Sequence, residues 1–125
     1  MFKFKLFPRF GISAALVMTI LWPFSVGLAS DKFVSGFGDL PIMPDMNEIR
    51  EANLSFDTAG GRIVVAFART SRRHDEVLDF YEESLKQLGW KKKTDGRFFR
   101  DSEVLALDFF PDGHKLVVQF SLEPY

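Results

Sequence analysis

The stretch Ser71–Trp90, SRRHDEVLDFYEESLKQLGW, constrains the fold most, because it carries the helical apolar period around which the strands must be arranged. At about 100° per residue, Val77, Leu78, Tyr81, Leu85 and Leu88 share one face, with His74 and Ser84 among them. Asp75, Glu76, Asp79, Glu82, Glu83 and Lys86 fill the opposite face. Gly89 follows the apolar run, where a left-handed glycine stops a helix. Acids in the first turn and Lys86 in the last complement the helix dipole. The pattern predicts a helix starting between residues 71 and 75, with Thr70 or Ser71 as its cap.

Strand signals flank it. Asn53–Asp57 and Arg62–Arg69 read as a hairpin through Thr58-Ala59-Gly60-Gly61. In the second strand Ile63, Val65 and Phe67 alternate with Val64, Ala66 and Ala68. Both faces are apolar, which predicts a central strand with the helix on one side and a second cover, the 30–52 arm being available, on the other. After the helix, Trp90–Thr94 and Arg97–Arg100 flank Asp95-Gly96, a type I′ signature. Glu103–Phe110 and Lys115–Leu122 flank Pro111-Asp112-Gly113. Leu105, Leu107 and Phe109 point one way, as do Leu116, Val118, Phe120 and Leu122; Asp108, Gln119 and Ser121 point the other. The expected order is β-β-α-β-β-β-β. This is an α+β domain, an antiparallel sheet with one helix packed on one face, over residues 53–125.

Residues 1–29 read as a secretory signal peptide. Lys3, Lys5 and Arg9 precede the uncharged Gly11–Phe24, and Gly27-Leu28-Ala29 supplies small residues for a cut before Ser30. The alternative is an uncut inner-membrane anchor, against which Pro23, Ser25 and Gly27 interrupt the apolar run. The chain contains no cysteine. Small secreted eukaryotic domains usually carry disulfides, so bacterial export to the periplasm fits better, and a lipid-modified cysteine is excluded. Beyond residue 29 there are thirteen basic and seventeen acidic residues, an acidic balance that disfavours nucleic acid. Ten phenylalanines remain there as well. Aromatic area of that kind lets a small domain bury enough surface without disulfides.

Residues 30–52 lack a helical or strand period. Gly36, Gly38, Pro41 and Pro44 break regular structure, yet the segment is too apolar for a free linker. It reads as an irregular apolar arm packed on the domain, or as a partner-binding segment through Leu40, Ile42, Met43 and Met46. Lys91, Lys92 and Lys93, with Arg97 and Arg100, form a prospective positive patch. That patch either guards a sheet edge or meets an anionic surface: lipid headgroups in a weak membrane contact, cell-wall polymer, or an acidic partner.

The helix FYEESLKQLGW with its entry DEVLDFY, the arm's DLPIMPDM, the strand GRIVVAFA and the ending LVVQFSLEP resemble small exported alphaproteobacterial proteins. In that group a helix of the form FY…L…LGW runs straight into a strand. The resemblance spans most of residues 37–124. It implies fold and export, and it brings no activity and no site residue.

Catalytic signatures are missing. His74 and His114 stand forty residues apart with no ligand spacing around them, so no metal is expected. There is no GxSxG, no SxxK and no third glycine after Gly36-Phe37-Gly38, so neither a nucleophile nor a nucleotide cofactor is expected. Asp108 lies on the sheet's polar face with no partner acid or base visible. The chain therefore reads as a non-catalytic periplasmic interaction module that binds an envelope protein through the sheet's second face, its exposed edge or the 30–52 arm, with strand addition as the mode. The competing reading is a carrier of a small apolar or lipidic ligand between helix and sheet, near Val64 and Ala66.

Overall fold

The computed structural model describes residues 32–125. The expected signal peptide, residues 1–29, lies outside them. The elements are β1 (Met46–Glu48), β2 (Leu54–Thr58), β3 (Gly61–Thr70), α1 (His74–Gln87), β4 (Lys91–Lys92), β5 (Phe98–Arg100), β6 (Glu103–Asp112) and β7 (Lys115–Pro124). All strand pairings are antiparallel. β1 and β2 share one side of β3, after which the sheet runs β7, β6, β5, β4. The α+β class with one helix on a sheet is as the periodicity predicts, with β1 as an additional short strand drawn from the arm.

Register assigns the two faces. Ala66 pairs with Phe120 and Phe120 with Leu107; Ala68 pairs with Val118 and Val118 with Phe109. These rows join Val77, Tyr81 and Leu85 of α1 in one cluster, and those three helix residues are 0% exposed. Burying each is worth about 1.5–3 kcal/mol. Phe80, which the helical stripe leaves out, also packs against the cluster, with its ring edge-on to Tyr81 at 4.9 Å.

The helix ends as its sequence dictates. Gly89 has φ +90°, its N–H bonds Lys86 O at 3.2 Å, and Trp90 N–H bonds Leu85 O at 2.9 Å. That is a Schellman closure with buried Trp90 over buried Leu85. The helix starts at His74, within the expected 71–75, but its cap differs from expectation. Arg73 is the N-cap residue, and the Glu76 carboxylate accepts its N–H at 3.3 Å. Thr70 Oγ1 instead accepts Arg72 N–H at 3.1 Å and donates to Asp45 O at 2.9 Å, tying β3 to the arm.

Two turns are reassigned by backbone angles, and a third, Asp101-Ser102, is defined by them. Asp95-Gly96 is not a type I′ pair, because only Gly96 has positive φ (+86°) and Gly96 N–H bonds Lys93 O at 3.0 Å. This is a type I turn closed by a left-handed glycine. The two-residue turn Asp101-Ser102 has φ of +46° and +68°, the type I′ pattern without glycine. At the far end β6 runs on through Asp112, which pairs with Lys115, and Gly113 (φ +62°) opens the turn.

The arm folds back on itself rather than staying extended. Val34 N–H bonds Leu40 O at 2.8 Å and Ile42 N–H bonds Lys32 O at 2.8 Å. The loop lies on the helix side, not on the opposite face of β3. Phe37 meets Phe120 edge-on at 6.3 Å, and Tyr81 Oη accepts Met43 N–H at 3.1 Å and donates to Pro41 O at 2.8 Å.

Glu48 anchors the exit of the arm. Its side chain is 3% exposed and accepts Ser35 N–H at 2.9 Å and Asn53 Nδ2 at 2.7 Å. Asn53 Oδ1 in turn accepts Phe67 N–H from β3 at 3.1 Å. Burial by itself pushes the Glu48 carboxyl up, but hydrogen bonds from Ser35 and Asn53 and the charge of Arg50 outweigh it, so it sits below the usual carboxylate value. A lowered folded pKa gives stability that is present above the ordinary value and lost as pH falls. The expected result is that wild type exceeds Glu48→Gln in urea midpoint at neutral pH. The gap should close as pH drops below about 4.5. A gap that stays constant with pH would rule out this role for Glu48.

Candidate interaction surface

The residues expected to bind a partner divide on the structure. Leu40, Met43 and Met46 are 2%, 7% and 7% exposed and belong to the core cluster; Ile42 packs against it half-buried. A protein docking from outside does not reach Leu40, Met43 or Met46. The methionines line the cavity that Tyr81 fills, with Met46 Sδ 3.6 Å from its hydroxyl.

The five basic residues around the β4–β5 hairpin do not form one patch, because strand alternation sends them to different faces. Lys92, paired with Phe98, faces the helix and bonds Glu82. Arg100 also faces the helix side. It donates to Asp39 Oδ2 at 2.8 Å and Leu88 O at 3.0 Å, with its guanidinium 4.4 Å over Trp90. Arg97 is held by Asp95 at 2.8 Å. Lys91 and Lys93 remain without an ion pair among the described residues, on the opposite face beside Phe99, and Lys93 Nζ is 5.5 Å from that ring. They line an open hollow of about 680 Å³ with Arg97, Phe99 and Tyr125. Asp95, Asp101 and Glu103 line it as well, so its charge is mixed.

The surface left open is the sheet face away from the helix, called here the outer face; the sequence offers this face as a binding surface without singling out its residues. Leu54 pairs with Val65 and Phe56 with Ile63, and pairing preserves the face. Leu54, Phe56, Ile63, Val65 and Phe67 thus form one apolar tract on two adjacent strands. Val117 and Phe110, paired across β7 and β6, continue it. Leu54 is 53% exposed, Phe56 45% and Phe110 47%, which are large values for residues of this type in strands. α1 and the arm's fold-back lie on the other face; the arm's last part, β1, joins the sheet beside β3 and brings Asn47 next to Arg69 at one end of this face. Val64 and Ala66, the expected second apolar face, are 2% and 0% exposed beneath the helix. The alternation in GRIVVAFA was the available signal; it left open which half would be covered.

Polar residues cross the outer face along β7 and β6. Gln119 pairs with Phe67 on one side and Asp108 on the other, and Ser121 lies between Val65 and Ala106. Arg69 bonds Asp112 at 3.1 Å at one end. Asp108 is exposed there opposite Gln119. His74 stacks its ring edge-on against Phe109 at 4.1 Å, and His114 sits in the exposed β6–β7 turn.

Among the described residues no helix is long and apolar enough to cross a membrane. No family model matches the chain, and neither a curated protein nor a solved structure does.

Proposed function

We propose that this chain is a non-catalytic protein-interaction module of the bacterial periplasm that binds an envelope protein through the outer face of its sheet. One observation carries the reading: an apolar tract centred on Leu54, Phe56, Ile63, Val65 and Phe67 remains open after the helix and the arm's fold-back have packed on the other side. Exposed apolar tracts rimmed by polar residues are how soluble proteins mark contact sites. The polar residues crossing β7 give such a site orientation, because a partner must satisfy Gln119 and Ser121 while covering the flanking apolar residues.

Packing between helix and sheet favours this reading over a carrier of apolar ligands. Tyr81, Phe120, Leu85, Val77 and Val118 meet there at 0% exposure, and the hollows found lie at the rim. Export to the periplasm rests on the charged and apolar pattern of residues 1–29 together with the absence of cysteine.

The test is photocrosslinking in intact bacteria, with a photoreactive phenylalanine analogue at Phe56 or Phe110 on the outer face or at Asp79 on the solvent face of α1. A recurrent envelope protein joined from the outer face and not from 79 is the expected outcome. Equal labelling from the outer face and from 79, or none from either outer-face position, would sink the proposal.

A further inference from the structure

We infer that β2 is the docking edge, and that its occupant is an extended segment of a partner protein, apolar at every second residue, which adds to the sheet as a further strand. This rests on the interaction reading above and specifies how that surface is used.

Four stretches of the sheet lack a strand partner on one side among the described residues, and they are not alike. β1 is only three residues long, with Met46 buried and Glu48 charged. β4 is two residues long, both lysine, and Lys93 follows. β6 beyond β5, from Ala106 to Asp112, carries Asp108, Pro111 and Asp112. Lysine, proline, charge and short length are how natural sheets close an edge to strand addition. β2, Leu-Ser-Phe-Asp-Thr, has five residues, all exposed, with no lysine and no proline. Its one charge, Asp57, pairs with Arg62 and so points to the helix side. On the outer face it offers Leu54 and Phe56, backed by Val65 and Ile63 on β3.

The size of the tract selects the occupant. Five residues by two strands cover roughly 17 Å by 10 Å, far less than the roughly 800 Å² per partner of a stable standard interface. A face-to-face second copy is therefore poorly matched. Edge pairing of two β2 strands about Phe56 would set Leu54 of each copy against Thr58 of the other, so two of its three outer-face pairs are mixed. A segment with apolar side chains at alternate positions meets both Leu54 and Phe56 at the 4.5–5.5 Å spacing typical of cross-strand pairs. Main-chain bonds along β2 supply affinity, and the Leu54–Phe56 tract supplies selectivity.

The experiment places the photoreactive analogue at Leu54, Phe56 or Phe110 of the full chain in intact bacteria, then maps the joined residues. A synthetic peptide of the mapped segment is titrated onto the purified protein. Expected are crosslinks from 54 and 56 to nearby residues of one foreign segment. The peptide should slow hydrogen exchange of β2 amides by about tenfold or more at saturation, a measure of strand addition. Phe56→Lys and Leu54→Lys, both at exposed positions, should each weaken peptide binding by about tenfold, by the logic of lysine-guarded edges, while Phe110→Lys changes it less than about twofold. A crosslink from 54 or 56 to a second copy, or to residues before 32 of the same chain, overturns the proposed occupant. Crosslinks from 110 with none from 54 or 56 overturn the docking edge and leave the interaction reading standing. Silence at all three positions overturns both.

Discussion

Tyr81→Ala is expected to cost about 3–5 kcal/mol, the range for emptying a fully buried aromatic site. Against a total of about 5–15 kcal/mol for a domain of ordinary stability, much of the population would unfold under mild stress. The ring is 0% exposed and meets Phe120 at 5.1 Å and Phe80 at 4.9 Å, both edge-on. It is also where helix and arm join, since the hydroxyl bonds Met43 N–H and Pro41 O. Tyr81→Phe separates the two roles. It keeps the ring and strands two buried backbone groups, at about 1–3 kcal/mol. The expected signature is a lowered urea midpoint with exchange rising first at the Val34 and Ile42 amides, which close the arm's fold-back. A uniform rise across the sheet would mean the hydroxyl does not hold the arm. Alkaline titration gives an independent check. Burial pushes the phenol well above its ordinary value of 10, and the bond from Met43 offsets this only in part. A raised folded pKa means stability is complete below the unfolded value and falls above about pH 10, where only the unfolded chain gives up the proton. Tyr81→Phe should lose that alkaline limb.

The helix and the C-terminal hairpins were legible because their signals are local. A 3.6-residue apolar stripe, a terminal glycine and clean alternation in β6 and β7 each determine a conformation without reference to distant residues. The arm was not, for a physical reason. Its buried residues are Val34, Phe37, Leu40, Met43 and Met46, spaced by three, a period belonging to neither α-helix nor strand. Gly36, Gly38, Pro41 and Pro44 prevent a helix from using that spacing, and the chain turns instead so that each third side chain reaches the core. Lys91, Lys92 and Lys93 illustrate a second limit. Adjacent strand residues alternate faces, so a run of like charge in sequence becomes a divided one in space.

The outer face shows a third limit, and it bears on function. GRIVVAFA correctly signals a strand apolar on both sides, which in most sheets means both sides are covered. Here the arm, the one apolar segment available to cover the second side, is recruited to the helix side by Tyr81 and by the Arg72–Asp45 and Arg100–Asp39 pairs. The open tract on β2 and β3 is a consequence of that choice. A segment that looked made for a partner became core, and the strand face it vacated is the surface left to recognise one.

Gly36→Ala tests how closely the arm is fitted to the sheet, and its expected cost is about 2–4 kcal/mol, the sum of a backbone and a packing penalty. Gly36 has φ +87°, a left-handed conformation in which an L-residue is strained by about 1–2 kcal/mol. A Cβ added there would lie 2.8 Å from Val64 Cγ1. Val64 cannot easily yield, being 2% exposed in a central strand with a branched side chain stiff at χ1. The carbonyl of Gly36 also accepts Arg62 Nη1 at 3.1 Å, and Arg62 is held by Glu103 at 3.0 Å, so a shift of the loop disturbs that ion pair as well. The two penalties separate in a double-mutant cycle. Val64→Ala removes the methyl that the new Cβ would strike, so Gly36→Ala in that background should cost only the backbone share. Equal costs in both backgrounds would mean that the arm relaxes away from β3 freely. Recovery of about half the loss would place the loop hard against the strand, fixing the arm on the helix side and leaving Leu54 and Phe56 uncovered.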